Sequence, residues 1–292
     1  MRKHNNLFPT FTNNNPPFPS LFSHDGRCIF EGERPSLSSG HSCSFTKTDF
    51  IRCEGHRYGG ALYLYGDTQQ SSTSIEIIDS TFTECHAEEG AGIYVNTIAS
   101  LKVSSSFFYK CGNSDTVRGA GICPRSVTNH EIKESLFLSL RSNEDGGALF
   151  FYSCTQYFER ITVTDNRFLH CNCSGERTPS GGAVETSFDT CPRFGNCLFS
   201  HCSATDGGGA LWLNGAYPIP TLSYSFFHDN TGTDDNGHDC FLNEAHDLEY
   251  FLHCFSATLR SPRVYPDTYE DDWLPQANSS SQLMATLSGF LG

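Results

Sequence analysis

Charge is scarce in this chain, and so are the features of long helices. Only 18% of its 292 residues are charged, and Met and Trp occur twice each. No stretch sustains a 3.6-residue apolar period, which disfavours helical repeats. Positive charge is the scarcer sign: 19 Lys and Arg stand against 33 Asp and Glu, a formal net charge of -14. No basic cluster offsets that field, so a nucleic-acid partner is not expected. No run approaches the roughly 18 apolar residues that span a bilayer, so no transmembrane segment is expected. The opening MRKHNNLFPTFTNNNPPFPSLF begins basic, but Asn and Pro break it before an apolar core of a secretory signal can form. On that reading the chain stays inside the cell or its true N-terminus lies upstream. Neither a Walker-type loop nor a dinucleotide fingerprint occurs, so no cofactor is expected.

What is abundant is glycine (26), phenylalanine (24) and cysteine (14). They fall into a pattern. A glycine-led motif followed by an aliphatic strand begins at Gly59, Gly90, Gly119, Gly146, Gly181 and Gly208, with a degenerate copy at Gly237. Between the copies runs Phe-x-x-Cys, as in Phe50 to Cys53, Phe82 to Cys85, Phe108 to Cys111, Phe168 to Cys171, Phe199 to Cys202 and Phe251 to Cys254. Phe137 to Leu140 and Phe227 to Asn230 fill the same slot. Two motifs alternating at a period of about 29 residues signal a solenoid or a propeller. A propeller blade needs about 40 or more residues for four strands, whereas one coil of a β-helix needs two or three short strands and turns. The pattern therefore predicts an all-β fold, a right-handed single-stranded parallel β-helix of about seven coils. Residues 45–256 form the repeat domain, 1–44 an N-terminal extension and cap, and 257–292 an acidic Pro- and Ser-containing tail.

Within the glycine motif the fourth residue is Leu62, Ile93, Ile122, Leu149, Val184, Leu211 or Cys240, which places this column inward. Strand alternation sends the fifth residue outward. That column reads Tyr63, Tyr94, Cys123, Phe150, Glu185, Trp212 and Phe241. Six cysteines share one repeat position with Leu140 and Asn230, so they behave as small packing residues and are expected to be reduced, buried and unpaired. Cys171 and Cys173 form a CxC pair with no second pair at zinc-ligand spacing, so no metal site is expected there.

The paired GGA[ILV] and FxxN/FxxC motifs resemble the repeats of polymorphic outer membrane protein passenger domains, over roughly Phe45 to Cys254. The resemblance implies a pectin-lyase-like right-handed β-helix and, beyond the fold, an adhesin-like extracellular or cell-surface protein. It also implies a superfamily that contains polysaccharide lyases and hydrolases, so an active site has to be sought. The one dense acidic cluster is Asp229, Asp234, Asp235 and Asp239 around His238. It lies within one segment, without the Arg-x-Lys partner of the polygalacturonase pattern, and reads as a solvated acidic loop. The column two residues after each motif Phe is Arg52, Glu84, Lys110, Ser139, His170, His201, Asp229 and His253. Mixed signs of this kind suit a solvent face, and the recurring histidines suit surface stacking. No catalytic residue is assigned.

Two functional classes follow: a non-enzymatic scaffold that binds carbohydrate or protein, or a carbohydrate-active enzyme. For the scaffold, the candidate surface is the strip of Tyr63, Tyr94, Phe150, Trp212 and Phe241, because an exposed aromatic patch marks a contact site. The N-terminal segment or the tail could instead fold back over it, and accessibility of the rings separates the two.

Overall fold

A computed structural model describes residues 43–65, 73–152, 159–176, 178–187, 190–214, 221–233 and 238–243, with shorter pieces at 22–24, 27–31, 36–37, 251–252, 254–256 and 263–264. It is an all-β parallel solenoid with no helix among these residues. Three long sheets run the length of the stack, one of ten strands, one of nine and one of eight, with a short three-stranded sheet beside them. One coil shows the plan. Ser100–Ser104 lies in the eight-stranded linking sheet, Phe107–Tyr109 in the ten-stranded Phe sheet and Ile122–Arg125 in the nine-stranded Gly sheet. The chain then returns as Asn129–Lys133, paired parallel to Ser100–Ser104 with Ser100 opposite Asn129. Seven glycine-motif strands, from Leu62–Tyr65 to Cys240–Asn243, enclose about six full turns between them.

The stack reaches beyond the recognisable repeats. Arg27–Glu31 pairs parallel with Thr48–Ile51, and Ser36–Leu37 with Leu62–Tyr65. Phe22–His24 adds to Arg27–Glu31 in the antiparallel sense. The backbone thus extends the sheets into a segment that carries neither motif.

Left-handed turn residues set the corners. Between linking sheet and Phe sheet, Lys47, Asp79, Ser105, Glu134, Asp165, Asn196 and Tyr224 all have φ near +50°. After the Phe sheet the same is true of Arg52, Glu84, Lys110, Ser139, His170, His201 and Asp229. That is the column read from sequence as a solvent face, and its members are exposed or half-buried. A left-handed conformation costs an L-residue about 1–2 kcal/mol, which the stacked coils offset. At the turn into the Gly sheet the left-handed residue is glycine, at Gly59, Gly90, Gly119, Gly146, Gly181 and Gly208. A Cβ at Gly146 (φ +54°) would lie 2.1 Å from the Leu149 carbonyl oxygen and 2.8 Å from its carbon, so steric exclusion adds to the conformational cost.

The core is a set of columns. Phe50, Phe82, Phe108, Phe137, Phe168, Phe199 and Phe227 stack face to face with centroids 4.5–5.0 Å apart and no solvent exposure. Such pairs add about 0.5–1.5 kcal/mol each beyond area burial. The fourth residues of the glycine motif, Leu62 through Cys240, are likewise fully buried. Beside the Phe stack runs the cysteine column, and Cys53, Cys85, Cys111, Cys171, Cys202 and Cys254 are buried as thiols, outside any disulfide. Four of these thiols reach a backbone carbonyl of the coil before: Cys85 Sγ donates to Phe50 O (3.6 Å), Cys111 to Phe82 O (3.5 Å), Cys171 to Phe137 O (3.6 Å) and Cys202 to Phe168 O (3.4 Å). Asn230, in the same slot, donates from Nδ2 to Phe199 O (3.1 Å) and accepts from Cys202 N (2.9 Å). Cysteine and asparagine exchange here because both are small donors aimed at one carbonyl. At the first corner the buried hydroxyls form a second ladder. Ser80, Ser106 and Ser135 each accept from the backbone N–H of the preceding coil, at 3.2, 3.3 and 3.1 Å, and donate back to a nearby carbonyl.

Candidate functional site

Three surfaces carry chemistry. The first is the outer face of the Gly sheet, where register pairs Tyr63 with Tyr94, Tyr94 with Cys123, Phe150 with Glu185, Glu185 with Trp212 and Trp212 with Phe241. The residues therefore share one face, as alternation predicts. They are not open, however. Tyr94, Phe150 and Phe241 are 2%, 4% and 6% exposed, while Tyr63 and Trp212 are half-buried. Tyr94, Cys123 and Phe150 form a small second core, against which Tyr58, Tyr63 and Tyr152 pack. Tyr58 lies 4.4 Å from the Tyr94 ring, and the Arg118 guanidinium sits 5.4 Å over Phe150. An exposed aromatic strip is thus corrected to a largely closed one, roofed in part by Tyr58 and Arg118, each just before a motif glycine. The alternative, cover by the terminal segments, falls outside the described side chains.

Charged groups are folded into that roof. Tyr58, Glu89, Arg118, Asp145, Ser180 and Gly207 bridge from coil to coil as one column. Arg118 Nε donates to Asp145 Oδ2 at 2.6 Å, and its Nη2 lies 3.5 Å from Glu144. Glu185 is 8% exposed and accepts from Ser180 Oγ at 2.7 Å. Burial, and then the charge of Asp145, push the Glu185 carboxyl well above the usual carboxylate range. Burial also raises Asp145 and Glu89, against the opposing pull of Arg118.

The second surface is the outer face of the Phe sheet, which the sequence reading passed over. The residues flanking each motif Phe point away from the core, and Phe107, Tyr109, Leu136, Leu138 and Leu169 are half-buried there in register. The rings of Phe107 and Tyr109 lie 5.8 Å apart, and the Lys110 ammonium sits 5.1 Å over Tyr109. Along one margin an open hollow of about 450 Å³ is lined by Ser105, Phe107, Glu134, Leu136, Asp165 and Arg167. The signal was present in the letters FFY, LFL and RFL around the motif Phe.

The third surface is the corner after the Phe sheet. His170 and His201 stack with centroids 4.9 Å apart. His253 lies outside the described residues, as do Asp234 and Asp235 of the acidic segment. Asp239 is fully buried and accepts from Asn230 Nδ2 at 3.0 Å, so it ties the last coils together and is not a solvated group. Cys171 belongs to the core column, whereas Cys173 lies in the short side sheet and donates to Glu144 O at 2.7 Å. No helix among the described residues is long and apolar enough to cross a membrane.

No family model, curated protein or solved structure matches the chain. Its function rests on its own geometry.

Proposed function

We propose that the protein is a non-enzymatic β-solenoid scaffold that binds carbohydrate or protein, as adhesin-like β-helices do. One observation carries this reading. The outer face of the Phe sheet presents Phe107, Tyr109, Leu136, Leu138 and Leu169 on successive strands, half-exposed, beside an open polar hollow. Aromatic faces with adjacent hydroxyls and carboxylates suit sugar rings or a partner's apolar side chains. The pectin-lyase-like and polymorphic-membrane-protein kinship, and the extracellular or surface location it implies, rest on the motifs alone and belong to the same proposal. Replacing Phe107 and Tyr109 by Ser should abolish capture of glycans or proteins on an unbiased array while leaving the circular dichroism spectrum intact. Unchanged capture would remove this face as the site.

A second reading, a carbohydrate-active enzyme, draws on Glu185, Asp145 and Arg118 at neighbouring coils. A carboxyl held neutral near an ionisable neighbour is the raw material of general acid catalysis. Their closure beneath Arg118 and the aromatic roof ranks this reading second. Release of reducing or unsaturated ends from a glycan, lost in Glu185→Gln, would reverse the order.

A further inference from the structure

Two adjacent coils bring four polar side chains to one point at the corner after the Phe sheet. Ser200 and His228 end paired strands and lie opposite each other. The residues that follow them, His201 and Asp229, are both left-handed (φ +54° and +48°) and turn their side chains outward. His201 Nε2 lies 3.7 Å and His228 Nε2 3.4 Å from the same oxygen, Asp229 Oδ2. One ligand atom from each of these three residues can be chosen so that all lie within 4.8 Å of one another. The other nitrogens converge as well: Ser200 Oγ is 2.7 Å from His201 Nδ1 and 3.4 Å from His228 Nδ1.

We propose that His201, His228 and Asp229 bind a divalent transition-metal ion of the zinc class. A tetrahedral ion with bonds of about 2.0–2.1 Å needs ligand atoms roughly 3.3 Å apart. Two of the three edges are already close to that, so small side-chain rotations complete the set. The hydroxyl of Ser200 has two lone pairs and can accept both Nδ1–H groups, which leaves both Nε2 lone pairs for the ion. That arrangement distinguishes a ligand set from a plain surface ion pair, in which one imidazole would suffice. Two nitrogens and one oxygen select zinc, cobalt, nickel or copper over magnesium and calcium, which prefer oxygen. His170 lies against His201 with centroids 4.9 Å apart but is outside the ligand set. Three protein ligands leave a coordination position for water or for an oxygen or nitrogen donor from outside. Because the ligands come from two coils, the ion would clamp one coil to the next.

The test is a titration of the full chain with cobalt(II) chloride in a non-chelating reductant. The expected result is one ion per chain, with visible d–d absorption of nitrogen and oxygen ligation and no thiolate charge-transfer band. His228→Ala and Asp229→Asn should each abolish the spectrum, as should His201→Asn, chosen because Asn tolerates the left-handed backbone. Ser200→Ala should weaken binding by about tenfold through loss of ring orientation. His170→Ala should bind as the parent does. An unchanged spectrum in the His201→Asn, His228→Ala double variant, a spectrum dominated by thiolate bands, or no binding at millimolar cobalt would each overturn the assignment.

Discussion

At the scale of single residues, position in the coil decides what a side chain costs. Gly146 and Lys110 are both left-handed, yet they answer to different constraints. The missing Cβ of Gly146 makes room for the Leu149 carbonyl, whereas the Lys110 side chain already points into solvent. Gly146→Ala should therefore lose roughly 2–4 kcal/mol in urea unfolding, and Lys110→Gly should stay within about 1 kcal/mol of the parent. Equal losses would show that conformation alone, without the clash, governs the corner. The thiols follow the same logic of place. Burial pushes Cys43 and Cys197 up to about 12 and carries Cys171 and Cys240 well above the ordinary thiol range. The thiolate is the reactive form, so alkylation of the native protein at neutral pH should be slow at these four and fast once urea opens the coils. Mass mapping that finds them modified in the native state, or bridged, would contradict this.

At the scale of the strand and sheet, the two faces of each strand differ in how well sequence foretells them. The inner columns were legible because each member meets the same neighbours: Leu62, Ile93 and Ile122 occupy equivalent sites and are equally buried. Whether an outer residue is exposed depends on what lies over it, and that is not repeated. Tyr94 is closed in by Tyr58, and Phe150 lies beneath Arg118, while Phe107 and Tyr109 on the neighbouring sheet stay half-open. Nothing in a period of alternating letters distinguishes these cases. The convergence of Ser200, His201, His228 and Asp229 was equally hidden, since only half of its members lie in the histidine-bearing column. Glu185 shows the energetic consequence of closure. Its folded-state pKa is raised, so the neutral carboxyl is the form the fold favours. Its contribution to stability is complete below the ordinary carboxylate pKa and is lost as pH rises through the raised value. Melting temperature should therefore decline with pH in the parent more than in Glu185→Gln, with the two converging in acid. Parallel curves would show that Glu185 is ionised without penalty.

At the scale of the whole molecule, each coil meets only the coils before and after it, and stability is close to a sum over such contacts. The same ladders recur from interface to interface: stacked Phe rings, a left-handed corner and, except where Leu140 takes the slot, a donor in the Cys column. Arg118 and Asp145, each just before a motif glycine, are register partners. Deleting 119–145 would therefore join Arg118 to Gly146 with equivalent backbone on both sides. The shortened chain should fold, with a parent-like circular dichroism spectrum per residue and a lower unfolding free energy. Collapse into aggregate would mean that the coils are less interchangeable than their backbones indicate.

Interchangeable coils also bear on descent. A gene segment encoding one coil can be copied or dropped by recombination between neighbouring copies, and the product inherits matched surfaces at the new junction. Length then becomes a heritable variable that mutation reaches in one event, while the glycine corner and the core columns are held fixed. The outer positions, freed from that constraint, are where lineages of such chains can diverge.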